Sequence, residues 1–118
     1  VVGHFSTGDH QQIHAFAYRH GQGFRDLGVL PGLRHSSAAA VNSGGTIVGT
    51  SYRAPGERYA FAWDEAEGML DLNTRIDPAW AKRLRLAEAM DVNDRGQIVA
   101  NAGLPNGQSR AVLLSPTR

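Results

Sequence analysis

Residues Ile13–Gly32 read IHAFAYRHGQGFRDLGVLPG, and forty-five positions further on Arg58–Asp77 read RYAFAWDEAEGMLDLNTRID. His14-Ala15-Phe16 falls against Tyr59-Ala60-Phe61, Tyr18 against Trp63, Gly23 against Gly68, and Asp26-Leu27 against Asp71-Leu72. One spacing shared by so many positions marks an internal repeat, which bears on architecture before any single residue does. A second segment repeats beside it. AVNSGGTIVG (Ala40–Gly49) returns as DVNDRGQIVA (Asp91–Ala100), and Val1-Val2-Gly3 looks like a truncated copy of Ile47-Val48-Gly49. Arg110-Ala111-Val112 fills the His-Ala-Phe slot a third time. The chain, residues 1–118, therefore reads as a single domain of three units. A complete one at about 37–86, carrying an insert at 73–86, stands between partial ones at about 1–36 and 87–118.

Each unit reads as short strands divided by turns. Asn42 with Gly45, and Asn93 with Gly96, suit tight hairpins in which glycine takes the positive φ that other residues resist. Pro55-Gly56 fits a type II turn, and Asn106-Gly107 is a strong hairpin signal. A further turn at RHGQG and DEAEG precedes the strand that ends in Asp-Leu. Within the Ala-Phe-Ala strands, His14, Phe16 and Tyr18 share one face, as do Tyr59, Phe61 and Trp63, while the other face carries only alanine. Bulk on one face and alanine on the other lets neighbouring sheets approach closely. Phe16, Phe61 and Trp63 are accordingly core residues, each contributing on the order of 2–3 kcal/mol if fully buried.

The expected fold is all-β: antiparallel four-stranded units of about 45 residues, the size of a propeller blade. The strands fall three, four and three along the chain. A closed propeller needs about four to eight blades, so the open edges call for completion. Several chains could form a ring, the chain could belong to a longer repeat protein, or the units could pack as a compact β-sandwich. Two chains would supply twenty strands, the number in five four-stranded blades. The insert adds IDPAWAKRL, a short helical turn with Asp77 as its cap, Pro78 at its first position, and Trp80 expected to fold back onto the sheets.

Composition narrows the chemistry. Net charge is +1 and the cations are dispersed, which argues against a nucleic-acid partner. No apolar run approaches the ~18 residues of a membrane-spanning helix, and VVGHFSTGDH shows no signal peptide. The absence of cysteine removes disulfides, thiolate metal sites and a cysteine nucleophile.

His14-Ala15-Phe16, Asp26-Leu27-Gly28, Leu30-Pro31-Gly32, Ser36-Ser37-Ala38, Asn42 and Gly45 resemble, residue by residue, the HAF family of probable extracellular repeats in bacterial proteins. The stretch from Asp71-Leu72-Asn73 to Leu113-Leu114-Ser115-Pro116 is similar to the closing repeat of such proteins. The resemblance covers nearly the whole chain. It departs at Tyr59 and Arg110 in the histidine slot, at Val112 in the phenylalanine slot, and at Ala100 in a glycine slot. It implies a secreted or cell-surface, propeller-like protein and supplies no catalytic residue.

Five histidines lie in the first 35 residues, and a metal site would draw on His4, His10 and His14 with a carboxylate such as Asp9. His4 and His14 occupy variable repeat positions and lack the i, i+4 spacing of zinc proteases. No metal or other cofactor is therefore assigned. Ser36-Ser37 sits outside any Gly-x-Ser-x-Gly elbow and reads as turn-satisfying. Asp26 and Asp71 read as backbone acceptors rather than an acid–base pair. The chain thus reads as a non-enzyme.

One contrast suggests contacts: Arg19 and His20 in the first turn oppose Asp64, Glu65 and Glu67 in the equivalent turn. The expected function is a non-enzymatic exported recognition or antigenic module, with self-association through open strand edges and an unassigned host or surface ligand. The alternative is a metal-dependent or histidine-assisted hydrolase or lyase on the same scaffold.

Overall fold

Alternating strands and glycine-bearing turns build the chain into three antiparallel sheets in a computed structural model, which describes residues 1–6, 12–53 and 57–116. The first sheet contains β1 (Val2–Ser6), β2 (Ile13–Arg19) and β3 (Gly23–Gly28) in that order. The second contains β4 (His35–Val41), β5 (Ile47–Tyr52), β6 (Arg58–Asp64) and β7 (Gly68–Asp71). The third contains β8 (Arg85–Val92), β9 (Ile98–Gly103) and β10 (Ser109–Leu114). By repeat position β1, β5 and β9 correspond, as do β2, β6 and β10. The first sheet has no counterpart of β4, and the third none of β7, among the described residues. The three-four-three strand count read from the sequence holds. The sheet divisions fall slightly ahead of the expected unit limits, since His35, Ser36, Arg85 and Leu86 already belong to the following sheet.

The Asn-x-x-Gly turns form as the sequence dictates. Asn42 Oδ1 accepts from the Thr46 amide at 2.9 Å, and Asn93 Oδ1 from the Gln97 amide at 3.0 Å. Gly45 and Gly96 stand at φ 92° and 81°, a conformation that side chains with a Cβ resist. The Pro55-Gly56 turn lies outside the described residues.

Packing follows the alternation in the strands. Phe61 and Trp63, on the aromatic face of the second sheet, share a buried cluster with Ala15 and Leu27 of the first. Ala60 and Val48, on its small-residue face, join Leu86, Ala89 and Ala100 of the third. The same relation occurs twice: β4 packs on β1 and β2, and β8 packs on β5 and β6. The glycine slot is explained by what lies across the strand from it. Gly3 pairs with Phe16, and a methyl there would press on that ring; Gly49 pairs with Phe61, and a methyl there would strike the Ser37 carbonyl and Ala38 backbone of β4 before the ring. In the third unit Ala100 pairs with Val112. The two departures thus face each other across the β9–β10 pair, a smaller side chain opposite a larger one.

Polar side chains fasten the sheets together. A register shift between Ala15 and Phe16 opens the β2–β3 ladder, and the buried Ser36 hydroxyl enters there. It accepts from the Ala15 amide at 2.8 Å and donates to the Gly28 carbonyl. Ser36 is thus an inter-sheet bridge rather than the turn residue expected, because its strand lies against the bulge of the preceding sheet. Ser51, also buried, accepts from the Leu30 amide and donates to the His35 carbonyl. At the second junction Asn73 takes over this role. Its Oδ1 accepts from the Leu86 amide at 2.7 Å and its Nδ2 donates to the Leu86 carbonyl at 3.0 Å.

The insert forms a 3-10 turn over Leu72–Thr74 and the helical turn α1 (Pro78–Ala81), with Asp77 accepting from the Ala79 amide at 2.8 Å. Trp80 does not fold back: it remains 57% exposed, because α1 is a single turn and buries none of its residues.

Candidate functional site

The strands that carry the charged turns also bound an open groove of about 570 Å³ at the junction of the first and second sheets. The β2–β3 turn brings Arg19 and His20 to its rim, β3 brings Arg25, and the β6 end and following turn bring Trp63 and Glu65. Asn42, Gly44 and Gly45 of the β4–β5 turn close one side. The groove therefore collects both signs of the charge contrast seen in the sequence. Arg19 and His20 are not the residues that meet the acid, however. Arg25 donates to Glu65 at 3.2 Å and stands 5.1 Å from the Trp63 ring centroid, adding a cation–π contact to an exposed ion pair.

Arg25 was not singled out from the sequence. A signal did exist: it pairs with Ala17 on the alanine face, where the second unit has Leu70 paired with Ala62. A cation in place of a leucine on a packing face marks a surface that meets something other than hydrocarbon. Of the other expected contact residues, Asp64 accepts from the Glu67 amide at 2.7 Å, and Glu67 pairs with Arg75 at 3.4 Å. Both serve their own turn and the insert rather than the groove.

The histidines are held apart in separate structural roles. His14 Nδ1 lies 3.0 Å from both oxygens of Asp26, and its Nε2 lies 3.1 Å from Gln12 Oε1. Asp26 also accepts from the Gly28 amide at 2.8 Å, as Asp71 accepts from the Asn73 amide at 2.9 Å. The repeated acid is thus a backbone acceptor, as expected, and the histidine of the His-Ala-Phe motif is its cross-strand partner, which sequence reading missed. His35 Nδ1 accepts from the Ile13 amide, which requires that nitrogen to be bare, and its ring lies against Tyr52. His4 Nδ1 faces the Ser37 hydroxyl at 3.3 Å. His10 and Asp9 lie outside the described residues. Among the described residues no three His, Cys, Asp or Glu side chains converge as a cation site.

At the far end of the β4–β5 turn the second and third sheets meet through polar groups. Asn42 Nδ2 donates to the Asn93 carbonyl at 3.0 Å. Asp94 accepts from the Ser43 amide at 2.8 Å and from its hydroxyl at 3.0 Å. The amide bond first, and then the hydroxyl, hold the Asp94 carboxyl below its ordinary value.

No family model, curated protein or solved structure matches the chain. No helix of the described residues is long and apolar enough to cross a membrane.

Proposed function

We propose that the chain is a propeller-like array of HAF-type repeats, exported or surface-associated, which works by binding rather than by catalysis. One observation carries this reading: among the described residues His14, His35, Ser36 and Ser51 are committed to holding strands and sheets. His14 is engaged by Asp26, His35 by a backbone amide, and Ser36 and Ser51 by backbone groups of the neighbouring sheet or linker. The repeated docking of β4 and β8 on the preceding sheet supports the blade-like arrangement. The second sheet buries its aromatic face, and the third sheet the equivalent apolar face of Ala100, Val112 and Leu114, against the small-residue face of the sheet before. Stacking in a single sense is what blades do around an axis.

The contact surface is the groove at the first junction. Arg19 and Arg25 outnumber Glu65 there, with His20 beside them as a hydrogen-bonding group, and Tyr18 and Trp63 add apolar surface. Its ligand is an acidic, extended segment such as a carboxylate-rich peptide. Titration of oligoglutamate against labelled protein, followed by amide chemical shifts, is the test. Shifts confined to Arg19–Arg25 and Asn42–Gly45, abolished in Arg19→Ala/His20→Ala, are expected. No response, or an equal response to oligolysine, would overturn the reading.

A further inference from the structure

The two outward faces of the sheet stack are the unused halves of an interface that the chain already makes twice. In the second sheet Phe61 is fully buried, Trp63 is 9% exposed and Met69 packs against the core, all toward the first sheet. The same repeat positions in the first sheet are Phe16, Tyr18 and Phe24. Tyr18 is 45% and Phe24 55% exposed, and Phe24 stacks on Phe16 at 4.9 Å and meets Phe5 edge-on at 5.0 Å. An aromatic face with no sheet above it among the described residues is thus preassembled.

The opposite end shows the complement. Val48 and Ala60 are fully buried against the third sheet, with Ala62 beside them. Their counterparts on the third sheet are Val99, Ala111 and Leu113. Val99 is 39% and Leu113 61% exposed, Ala111 is exposed, and Met90 nearby is 49% exposed. Among the described residues, four of the eight large exposed apolar side chains lie on these two faces, and Met90 lies beside one of them.

We infer that a second copy of this chain docks head to tail, its third-sheet face of Val99, Ala111 and Leu113 covering the Phe16, Tyr18 and Phe24 face of the first. The occupant is a copy of the chain because the two faces carry the repeat positions that already meet at both internal junctions, with Leu113 standing where Ala62 does and Asp91 beside Val99 where Ala40 lies beside Val48. The contact is heterologous, one surface meeting a different one, so it propagates until it closes. Two copies bring together six sheets, within the range of closed propellers. This revises the five-blade count: among the described residues the first and third sheets each hold three strands and both carry the β5 and β6 positions, so the two do not merge into one four-stranded blade. Association through faces also leaves the strand edges at β1 and β10 unused. The inference rests on the blade-like stacking; of the docking-face residues Tyr18 also lines the groove, whereas Phe24 and Leu113 do not, so the first pair of variants separates the two readings.

Sedimentation velocity on three proteins decides the matter: the unaltered chain, Phe24→Arg and Leu113→Arg, alone and mixed. Both substituted side chains are more than half exposed, so folding should survive, and circular dichroism checks it. Tyr18→Lys and Met90→Lys form a second pair, used if either first-choice variant fails to fold. The unaltered chain should associate at concentrations up to about 1 mM, a range that registers even weak contacts. Each variant alone should be monomeric, having lost one face. An equimolar mixture should form a one-to-one dimer, because each supplies the face the other lacks. A monomeric unaltered chain would overturn the inference. So would variants that associate as the unaltered chain does, or a mixture that stays monomeric. Loss of association in Phe24→Arg alone would indicate an aromatic-to-aromatic contact and would overturn it equally.

Discussion

Truncating the phenylalanine of the His-Ala-Phe motif should have very different costs in its two copies. Phe61 is fully buried between the first and second sheets, its ring over Gly49. Removing a fully enclosed phenylalanine costs about 3–5 kcal/mol, the lost transfer energy plus the cavity left where close strands cannot collapse. Phe16 has the same neighbours in sequence and the same glycine across the strand, but its outer side meets only Phe5 and Phe24. Its loss should cost about 1–2 kcal/mol by area and ring contact. Trp63→Ala, at 9% exposure beneath Arg25, belongs with Phe61 at about 3–5 kcal/mol. The measurement is urea unfolding at dilution, where the chain is monomeric, followed by far-ultraviolet circular dichroism and by tryptophan fluorescence. Phe61→Ala should lower the midpoint more than Phe16→Ala, with a gap of about 2–3 kcal/mol. Equal losses, or a larger loss at Phe16, would refute the assignment of buried and outward faces.

Gly45→Val and Gly96→Val should each cost at least about 1–2 kcal/mol, because a β-branched residue is forced to positive φ, and thermal melts of both would show it. Asn73→Ala leaves the backbone amide and carbonyl of buried Leu86 without their side-chain partner; a loss of about 1–3 kcal/mol in urea titration is expected. For Asp94 the folded carboxyl lies below its ordinary 3.8, so its contribution is present above that value and lost as pH falls through the lowered one. Unfolding midpoints between pH 5 and pH 2, roughly the range of carboxylate titration, should fall less steeply in Asp94→Asn. Ser43→Ala should have a smaller effect, since the amide bond remains.

Local chemistry was legible and tertiary chemistry was not. The turns at Asn42–Gly45 and Asn93–Gly96 need only their own residues, so glycine spacing and the asparagine side chain were enough to place them. The alternation of alanine with Phe61 and Trp63 likewise announced two packing faces, since a strand's period is a local property. The same alternation placed Phe16 in the core, but Phe16 is only half-buried because its face has no sheet over it among the described residues. Ser36 is different. Its partner is a bulge twenty-one residues earlier in another sheet, and no pattern around Ser36 reveals that bulge. The His14–Asp26 pair likewise depends on how β2 and β3 align, since the two residues lie twelve positions apart. Arg25 could have been noticed by comparing the copies, where it replaces Leu70, but its partners Trp63 and Glu65 come from the next sheet. Trp80 misled because a large apolar residue is ordinarily buried, whereas a one-turn helix offers it no face to bury against.

The account stands on sheets fastened by side chains of the repeat, and amide hydrogen exchange at Ala15 tests that fastening most directly. Its amide is bonded to the Ser36 hydroxyl of the next sheet. In the unaltered chain Ala15 should exchange slowly. In Ser36→Ala it should exchange much faster while the amides of β9, in the third sheet, keep their protection. Unchanged exchange at Ala15 in that variant would contradict the docking of the second sheet on the first.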